Sequence, residues 1–592
     1  MKIRGLLAAT LIAAMVVPMM GGCGYIDKIK EAKEMVQSGS KELAEAVKEA
    51  AGKKVDEAEK AEVPEEDPVD VAEEPMMTEE ASSEHPQIIL ENHYKTSWDP
   101  VNYNTKARIS YYAVKAESGT EKTMPRFVES LADVNEMMTS SSESYFDELL
   151  AEYESMAAEG TAPEGEAYLT NEDTVYVMRA DEEVFSMVYE EYFYLGGPHP
   201  NTSYVTVTLD AQTGSALAIE DVVTDVDGFL DILDQKLQED FPDAYAQMSD
   251  PVAYFNQYDL SSPDGYPFTL DSEGMTVYIA AGEIASYAAG EQLVRIGFDE
   301  FDGFAPAYCR TKADEYVMPL LPYQKIKVDV DNDGTKEAVS LGMTMADGGY
   351  YMRWHINVDD ETLIIDDDTY NADAYVVRAD GHYFMYLFES GEDDYRFMRS
   401  IDLATLIYDP DDVTRAGMAS WWKGGDNTDD ISEGVAGIYA LTDPSYMWLS
   451  GRCDMLSTQS TYMIYDHENG KPKAVADYYL LRAGNALKAK TDVTCDVVDS
   501  NGDVIGTDTI PAGTVMAFAR TDGSTWVDLQ IIGADEVKDV GNEDYHYYQV
   551  LDPQMMDPNK TTYRFYPDHS DYPYQVNGVA EEELFDGVMY AG

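Results

Sequence analysis

The chain has 592 residues, 44% of them hydrophobic, and its 113 acidic and 40 basic side chains give a formal net charge of -73. Because a typical domain holds about 150 residues, this length predicts three or four folded units rather than a single core. A negative net charge this large repels the phosphates of nucleic acids and attracts cations and basic proteins, so we expect no nucleic-acid partner.

The first 22 residues have the features of a secretory signal peptide. Lys2 and Arg4 precede a short apolar stretch that ends in "MGGC", with the cysteine at position 23. This ending resembles a bacterial lipobox, whose cysteine receives a diacylglycerol; the alternative is an ordinary cleavage site next to a chance cysteine. We therefore predict that Cys23 is lipidated and that it anchors the protein at the extracytoplasmic face of the cell membrane.

Residues 23–87 are predicted to form a lipidated N-terminus, a charged helix and an acidic stalk. The segment up to about Lys60 is rich in Ala, Lys and Glu and carries only a weak apolar stripe, which favours a solvated helix. The stretch "EVPEEDPVDVAEEP" that follows is acidic and interrupted by prolines, so it cannot bury enough apolar surface to order itself. We expect this stalk to hold the folded part away from the membrane.

The folded body begins near Ile88 and mixes strand-like with helix-like segments. "TVYVMRAD" and "EVFSMVYEEYFYL" have the composition of strands, whereas the segments that start at Met124 and Val226 have helical spacing. Strands followed by single helices, without a regular βαβ alternation, predict an α+β fold with an antiparallel sheet and packed helices. We divide this part into two domains, residues 88–190 and 191–308.

Three spaced motifs in this part carry a resemblance to a known family. They are a Gly-Gly-x-His corner at Gly196, Gly197 and His199, a D-x-x-T-G turn from Asp210, and a "YAAG" stretch from Tyr287. The sequence here resembles the paired extracellular domains of unknown function in RsiV-type lysozyme-sensing anti-sigma factors and PdaC-like peptidoglycan deacetylases. The resemblance implies an α+β ectodomain fold and, as partners, lysozyme or cell-wall peptidoglycan. The sequence departs from these relatives because neither a sigma-binding arm nor a deacetylase domain is recognisable in it.

After residue 308 the sequence changes to short, tyrosine-rich, alternating strands. We predict an all-β meander of hairpins over residues 309–410 and a β-rich region over residues 411–592. Within the latter, residues 487–530 resemble a bacterial SH3-like small barrel in their strand rhythm and turns. This part also holds three cysteines, which allow at most one disulfide within the chain: Cys309, Cys453 and Cys495.

The strongest chemical signal is the acidic loop "DVDNDGTKE" over residues 329–337. Carboxylates at positions one, three and five converge, the glycine permits a sharp turn, and positions seven and nine add a backbone carbonyl and a further carboxylate. These positions are held by Asp329, Asp331, Asp333, Thr335 and Glu337. Position twelve is Ser340 instead of the glutamate of an EF-hand, so we predict a structural Ca²⁺ ion in a loop that closes a β-hairpin. A plain Asp-Gly hairpin turn without a metal is the alternative.

The sequence lacks the usual catalytic signatures. Its eight histidines form no pair with zinc-ligand spacing, and it contains neither a G-x-S-x-G elbow nor a phosphate-binding glycine loop. We interpret His199 as the residue of a sharp bend whose ring satisfies backbone groups, because a general base needs a nucleophile or metal beside it. We therefore predict that the protein is not an enzyme.

Together these features predict a cell-surface lipoprotein without enzymatic activity. It would bind or sense a cationic protein such as lysozyme, or cell-wall glycan. Two alternatives stay open at this point: a cell-envelope enzyme or accessory factor in peptidoglycan modification, and a purely structural envelope protein.

Overall fold

The computed structural model describes residues 85–590 apart from several short internal segments. Those segments are residues 100–103, 164–167, 198, 264, 311–314, 323, 347–348, 350, 392–395, 409–416, 424–426, 429, 482–483, 542–545 and 552–555. The predicted signal peptide, the lipidation site Cys23 and the predicted N-terminal region of residues 23–87, apart from its last three residues, lie outside the described residues.

Most of the described chain is β structure, with 48% of its residues in strands and 16% in helices. The predicted α+β fold, an antiparallel sheet with packed helices, is therefore wrong for this chain. The physical reason is how helical spacing and strand-like alternation are distributed along the chain. Among the described residues, helices lie within residues 120–255 apart from a 3-10 turn at residues 287–289 and one turn near residue 581, whereas strands make up most of the remaining secondary structure.

The N-terminal part contains a sheet of long strands. The strands are β1 (Ile88–Trp98), β2 (Thr105–Ala116), β3 (Leu169–Ala180), β4 (Val184–Tyr194) and β5 (Asn201–Asp210). The helices of this part are α1 (Thr120–Thr123), α2 (Pro125–Glu159), α3 (Ile219–Val222), α4 (Val226–Asp240), α5 (Pro242–Tyr245) and α6 (Pro251–Phe255). Strands β2 and β3 run parallel because the long helix α2 connects them, and the neighbouring pairs in this part are antiparallel.

Helix α2 covers one face of this sheet. It begins at Pro125, where the fixed φ of proline suits the first turn, and it ends at Gly160, whose φ of 74° closes the last turn. Burial of one apolar stripe holds the helix on the strands. The stripe includes Phe127, Leu131, Val134, Met138, Phe146 and Leu149. Within the described part of the chain, no helix combines the length and apolarity needed to cross a membrane.

A smaller antiparallel sheet follows the helical segment. Its strands are β6 (Phe268–Leu270), β7 (Gly274–Ile279) and β8 (Gln292–Gly297). Helix α4 presents Phe229, Leu233 and Leu237 to a core that includes Val277 and Val294 of the sheet, and all five side chains are fully buried. The apolar spacing of α4 therefore decides which of its faces packs on this sheet.

The next part is all β. Its strands are β9 (Tyr316–Leu320), β10 (Lys325–Val328), β11 (Glu337–Met345), β12 (Met352–Val358), β13 (Glu361–Ala379), β14 (His382–Gly391) and β15 (Arg396–Asp402). Strands β10 to β15 pair in chain order and β9 pairs with β13, all antiparallel. Alternating side chains bury one row in the core, as at Ile326 and Val328.

The remaining strands are short, and most of them join one large sheet. They are β16 (Gly417–Met418), β17 (Ser420–Lys423), β18 (Asn427–Thr428), β19 (Ile431–Tyr439), β20 (Met447–Asp454), β21 (Thr458–Glu468), β22 (Lys471–Ala474), β23 (Tyr479–Leu481), β24 (Asn485–Ala489), β25 (Val493–Val498), β26 (Val504–Ile510), β27 (Val515–Thr521), β28 (Val527–Ile531), β29 (Val537–Asp539), β30 (Tyr548–Val550), β31 (Thr562–Phe565), β32 (Pro567–Asp568), β33 (Gln575–Val576), β34 (Val579–Ala580) and β35 (Phe585–Asp586), with helix α7 (Glu581–Leu584) before β35. In the described residues, fourteen strands pair into one sheet, and β24 to β28 of the barrel-like segment belong to it. The resemblance to an SH3-like barrel stays a prediction.

Two pairings cross the boundaries that the sequence suggested. Strand β19, from the predicted region 411–592, pairs with β1 from Ile89↔Tyr439 to Ser97↔Ile431. The N-terminal sheet therefore has the order β17-β19-β1-β2-β3-β4-β5, and β18 also pairs with β19. The predicted boundary between residues 190 and 191 falls inside strand β4, and β5 from the second predicted domain pairs with residues of β4 on both sides of that boundary.

The three cysteines of the folded body are all free and buried. Burial raises the pKa of each thiol, Cys309, Cys453 and Cys495, to about 12. Because the reactive thiolate is disfavoured, these residues act as small apolar side chains in the core.

Candidate functional site

The acidic loop of residues 329–337 closes the hairpin between β10 and β11. Val328 and Glu337 are paired at its base. The chain turns through Asn332 and Gly334, whose φ angles are 60° and 91°. Glycine adopts this left-handed region without steric cost and asparagine tolerates it, so the sequence suits the turn.

The three aspartates of the loop converge. Asp329, Asp331 and Asp333 each place a carboxylate oxygen within 4.8 Å of the others. The N–H of Gly334 donates to Oδ2 of Asp329 at 3.0 Å, and the N–H of Thr335 donates to Oδ1 of Asp333 at 2.7 Å. Oδ1 of Asp329 is buried and accepts no hydrogen bond. An unpaired buried oxygen costs about 1–3 kcal/mol, which a cation would offset, so these residues fit a hard cation with oxygen ligands.

Glu337, the fourth carboxylate, faces the same loop. The N–H of Val330 donates to its Oε2 at 2.9 Å. Burial and the carboxylates of Asp331 and Asp333 raise the pKa of Glu337 and outweigh the lowering effect of that hydrogen bond. A bound cation would reverse this shift, because it favours the charged form of each carboxyl group.

The loop also contacts two other elements. Nζ of Lys336 lies 3.3 Å from Oε2 of Glu273 and 3.1 Å from Oδ1 of Asp299. The side-chain amide of Asn332 donates to the carbonyl of Gly381 at 3.0 Å. The loop therefore lies against the turns of the β6–β8 sheet and the turn between β13 and β14. Sequence reasoning missed these contacts because Glu273 belongs to no recognisable motif.

The Gly-Gly-x-His corner lies in the connection between β4 and β5. Gly196 has a φ of 79°, and a Cβ there would lie 2.7 Å from Cε of Met156, so glycine suits both the backbone and the close approach. Gly197 and His199 are exposed. Nδ1 of His199 lies 2.9 Å from the carbonyl oxygen of Pro200, a contact with a backbone group.

The Gly-Gly-x-His corner and the "YAAG" stretch, which are far apart in the sequence, come into contact here. The rings of His199 and Tyr287 stack with centroids 4.3 Å apart and an angle of 24° between their planes. The hydroxyl of Tyr287 donates to the carbonyl of Pro200 at 2.8 Å. Tyr192 on β4 is 44% exposed and Tyr287 is 38% exposed. We call Tyr192, His199 and Tyr287 the aromatic corner.

The aromatic corner lies next to negative charge. Burial, the Glu291 carboxylate and Tyr192 raise the pKa of Tyr287. Burial and Glu291 also raise the pKa of Glu190. The corner thus presents aromatic faces beside carboxylates, a combination that binds cationic side chains. Sequence reasoning identified His199 but missed Tyr192, because strands are rich in tyrosine for reasons of packing alone.

No protein-family model matches the chain, and no curated protein matches it. A DUF3298 family member from Bacteroides fragilis NCTC 9343 has a TM-score of 0.29 and 14% sequence identity, covering 38% of this chain and 94% of its own. A DUF3298 family protein from Pseudomonas aeruginosa PAO1 has a TM-score of 0.27 and 13% identity, covering 39% of this chain and 99% of its own. Similarities this distant show no activity or partner, and the resemblance to RsiV-type and PdaC-like proteins stays a prediction.

Proposed function

We propose that this chain is a cell-surface lipoprotein without enzymatic activity that binds a cationic protein through the aromatic corner. The observation that carries the proposal is the corner itself: Tyr192, His199 and Tyr287 expose their rings beside carboxylates in a chain of net charge -73. Aromatic faces attract lysine and arginine side chains, and carboxylates pair with them. The net charge also steers a basic partner toward the surface. Lysozyme, the partner that the family resemblance implies, is such a protein.

The test is a calorimetric titration of the purified protein with lysozyme at two salt concentrations. We expect saturable one-to-one binding that survives the higher salt, because a desolvated contact is screened less than exposed charges. Replacing Tyr192 and Tyr287 with alanine should weaken binding about tenfold or more. Tyr572→Ala, which removes a ring that is 78% exposed elsewhere, should leave binding unchanged. Binding that salt abolishes, or that is equal in all variants, would contradict the proposal.

Cell-wall glycan is the second candidate ligand, favoured by the same exposed rings. Aromatic faces stack on sugar rings while hydroxyl tips bond to sugar hydroxyls. Muropeptides replace lysozyme in the same titration, and binding that depends on Tyr192 and Tyr287 would support this ligand. Intact muropeptides after prolonged incubation are expected, whereas their cleavage or deacetylation would contradict the absence of enzymatic activity.

We further propose that the loop of residues 329–337 binds a structural calcium ion. Its support is the convergence of three carboxylates around Oδ1 of Asp329, a buried oxygen that accepts no hydrogen bond. Calcium takes about six to eight oxygen ligands, and the Thr335 carbonyl and Glu337 add to the set. The ion would neutralise the clustered charge and hold the hairpin turn.

We infer membrane attachment from the lipobox-like sequence that ends at Cys23. The diacylglycerol on this cysteine would hold the protein at the extracytoplasmic face of the cell membrane. We expect the wild-type protein to sediment with membranes after expression in bacteria and Cys23→Ser to appear in the soluble fraction. Retention of Cys23→Ser in the membrane fraction would contradict lipid attachment at this position.

A further inference from the structure

Two acidic side chains lie buried beneath helix α2, apart from both sites described above. Asp173 on β3 is 5% exposed and Glu191 on β4 is 4% exposed. The two residues are direct cross-strand partners, and Ser203 on β5 is the next partner of Glu191. Side chains opposite each other on antiparallel strands have Cβ atoms about 4.5–5.5 Å apart. Two carboxyl groups and a hydroxyl therefore form a row across three strands.

The described groups that contact this pair are neutral. The hydroxyl of Ser203 donates to Oε2 of Glu191 at 2.6 Å, and the amide of Asn171 donates to Oδ1 of Asp173 at 3.4 Å. No lysine, arginine or histidine of the described residues forms an ion pair with either carboxyl group. Burial raises the pKa of both groups, and the charge of Glu191 adds to the shift at Asp173. Two buried carboxyl groups without a cation are costly unless protons or a metal neutralise them.

A buried hydroxyl group, that of Tyr189, also lies near Asp173. Tyr189 stands two residues before Glu191 on the same face of β4, is fully buried, and its hydroxyl forms no hydrogen bond. Burial and the Asp173 carboxylate raise the pKa of Tyr189. Burial and the Glu191 carboxylate likewise raise the pKa of Tyr145, which lies on α2. An unpaired buried hydroxyl costs about 1–3 kcal/mol, so its placement near the Asp173 carboxyl group points to a ligand that takes its oxygen.

We propose that Asp173, Glu191, Asn171, Ser203 and Tyr189 form a buried site for a divalent cation of the calcium class. A divalent ion would neutralise both carboxylates at once, and it would also give the unpaired hydroxyl oxygen of Tyr189 a partner. The two carboxyl groups, the hydroxyls of Ser203 and Tyr189, and the carbonyl oxygen of Asn171 after rotation of its amide would offer about five to seven oxygen ligands, close to the six to eight that calcium takes. It contains no nitrogen or sulfur ligand that would favour zinc or copper.

The surroundings of the site are apolar. Leu169 and Val175, which flank it along β3, are both buried. Leu169 packs with Phe146 of α2, and Val175 packs with Met138 of the same helix. The ion would thus tie strands β3 to β5 together under the helix, shielded from solvent.

The first experiment counts the calcium bound by the purified protein after equilibrium dialysis against calcium chloride. We expect about two equivalents in the wild type, about one in Asp331→Asn, and about one in the double variant Asp173→Asn/Glu191→Gln. The double variant keeps side-chain shape and removes both charges, so it also relieves repulsion and should fold. If it binds as much calcium as the wild type, the buried site is overturned. If bound calcium decreases only in Asp331→Asn, calcium binds at the loop alone and the buried site is overturned.

The second experiment measures thermal unfolding in the Asp331→Asn background. We expect EDTA to lower the midpoint by several degrees, because an ion that binds only the folded state stabilises it by mass action. Adding Asp173→Asn and Glu191→Gln should remove this sensitivity. A midpoint that is unchanged by EDTA but falls as the pH rises would show that the two carboxyl groups are neutralised by protons, since a raised pKa stabilises the folded state only while the proton is bound. That result would overturn the proposal.

Discussion

Gly214, the last residue of the D-x-x-T-G turn, lies directly against helix α2. Its φ is 67°, and a Cβ there would lie 2.4 Å from the carbonyl oxygen of Arg126 and 2.4 Å from Oγ of Ser130. The hydroxyl of Ser130 donates to the carbonyl of Gly214 at 2.7 Å. Oδ1 of Asp210 accepts the N–H of Thr213 at 2.8 Å, which closes the turn. A short motif thus fixes the end of β5 against the start of α2.

We expect Gly214→Ala to lower the free energy of unfolding by about 2–4 kcal/mol, because the new methyl group meets helix backbone and the positive φ is unfavourable for alanine. Gly160→Ala is the matched control: its φ is 74°, but no atom lies within 4 Å of the added Cβ. It should cost only about 1 kcal/mol. Urea denaturation measures both variants, and equal losses would show that the approach to Arg126 does not constrain the turn.

At the scale of secondary-structure elements, one carboxylate joins helix α4 to strand β10. Oε1 of Glu300 lies 2.6 Å from Nζ of Lys236 on α4 and 2.9 Å from Nζ of Lys327 on β10. Burial raises the pKa of Glu300, but hydrogen bonds from Lys236, the N–H of Gly297 and Lys327 outweigh it and lower the pKa to about 2. The ionised form is therefore favoured in the folded state.

We expect Glu300→Gln to lower the free energy of unfolding by about 1–3 kcal/mol at pH 7, since it leaves the buried Lys236 without its charged partner. A lowered pKa stabilises the fold above the unfolded value, and this contribution disappears as pH falls from 4.5 to about 2. The difference between wild type and Glu300→Gln should shrink over this range. Urea denaturation at several pH values measures it, with the exposed Glu239→Gln on the same helix as control. If the difference in the free energy of unfolding between wild type and Glu300→Gln does not change with pH, it does not come from the ion pairs of Glu300.

At the scale of the whole molecule, the parts of the chain share sheets and cores. Strand β19 completes the N-terminal sheet beside β1. Val377 and Tyr386 of the β9–β15 part lie in one buried cluster with Leu441 and Met447 of the following part. Unfolding of one part therefore exposes apolar surface of its neighbour, and we expect the parts to be thermodynamically coupled.

Calcium should stabilise this coupled body, because the loop of residues 329–337 contacts both the β6–β8 sheet and the turn between β13 and β14. We expect EDTA to lower the midpoint measured by scanning calorimetry by several degrees. Asp331→Asn should lose part of this sensitivity. Asp360→Asn, which removes an exposed charge from the next hairpin turn, should keep it. Equal behaviour of the two variants would contradict a metal in the loop.

Features that depend on residues close together in the chain can be predicted from the sequence. The helical spacing of α2, the strand-like composition of β3 and β4, and the glycine of the acidic loop are of this kind, and the structure confirms those elements. The convergence of Asp329, Asp331 and Asp333 also follows from spacing, because a tight turn leaves few paths for a chain this short. The net charge of -73 follows from the amino-acid composition alone.

The fold class, the addition of β19 to β1, and the position of Tyr192 beside His199 and Tyr287 could not be predicted from the sequence and follow from long-range packing. Long-range packing also places Asp173 and Glu191 opposite each other under α2. All of these depend on strand register and on burial between segments far apart in the chain. A register shift of one residue turns every side chain of a strand to the other face, and no local pattern of residues specifies which distant strand will pair.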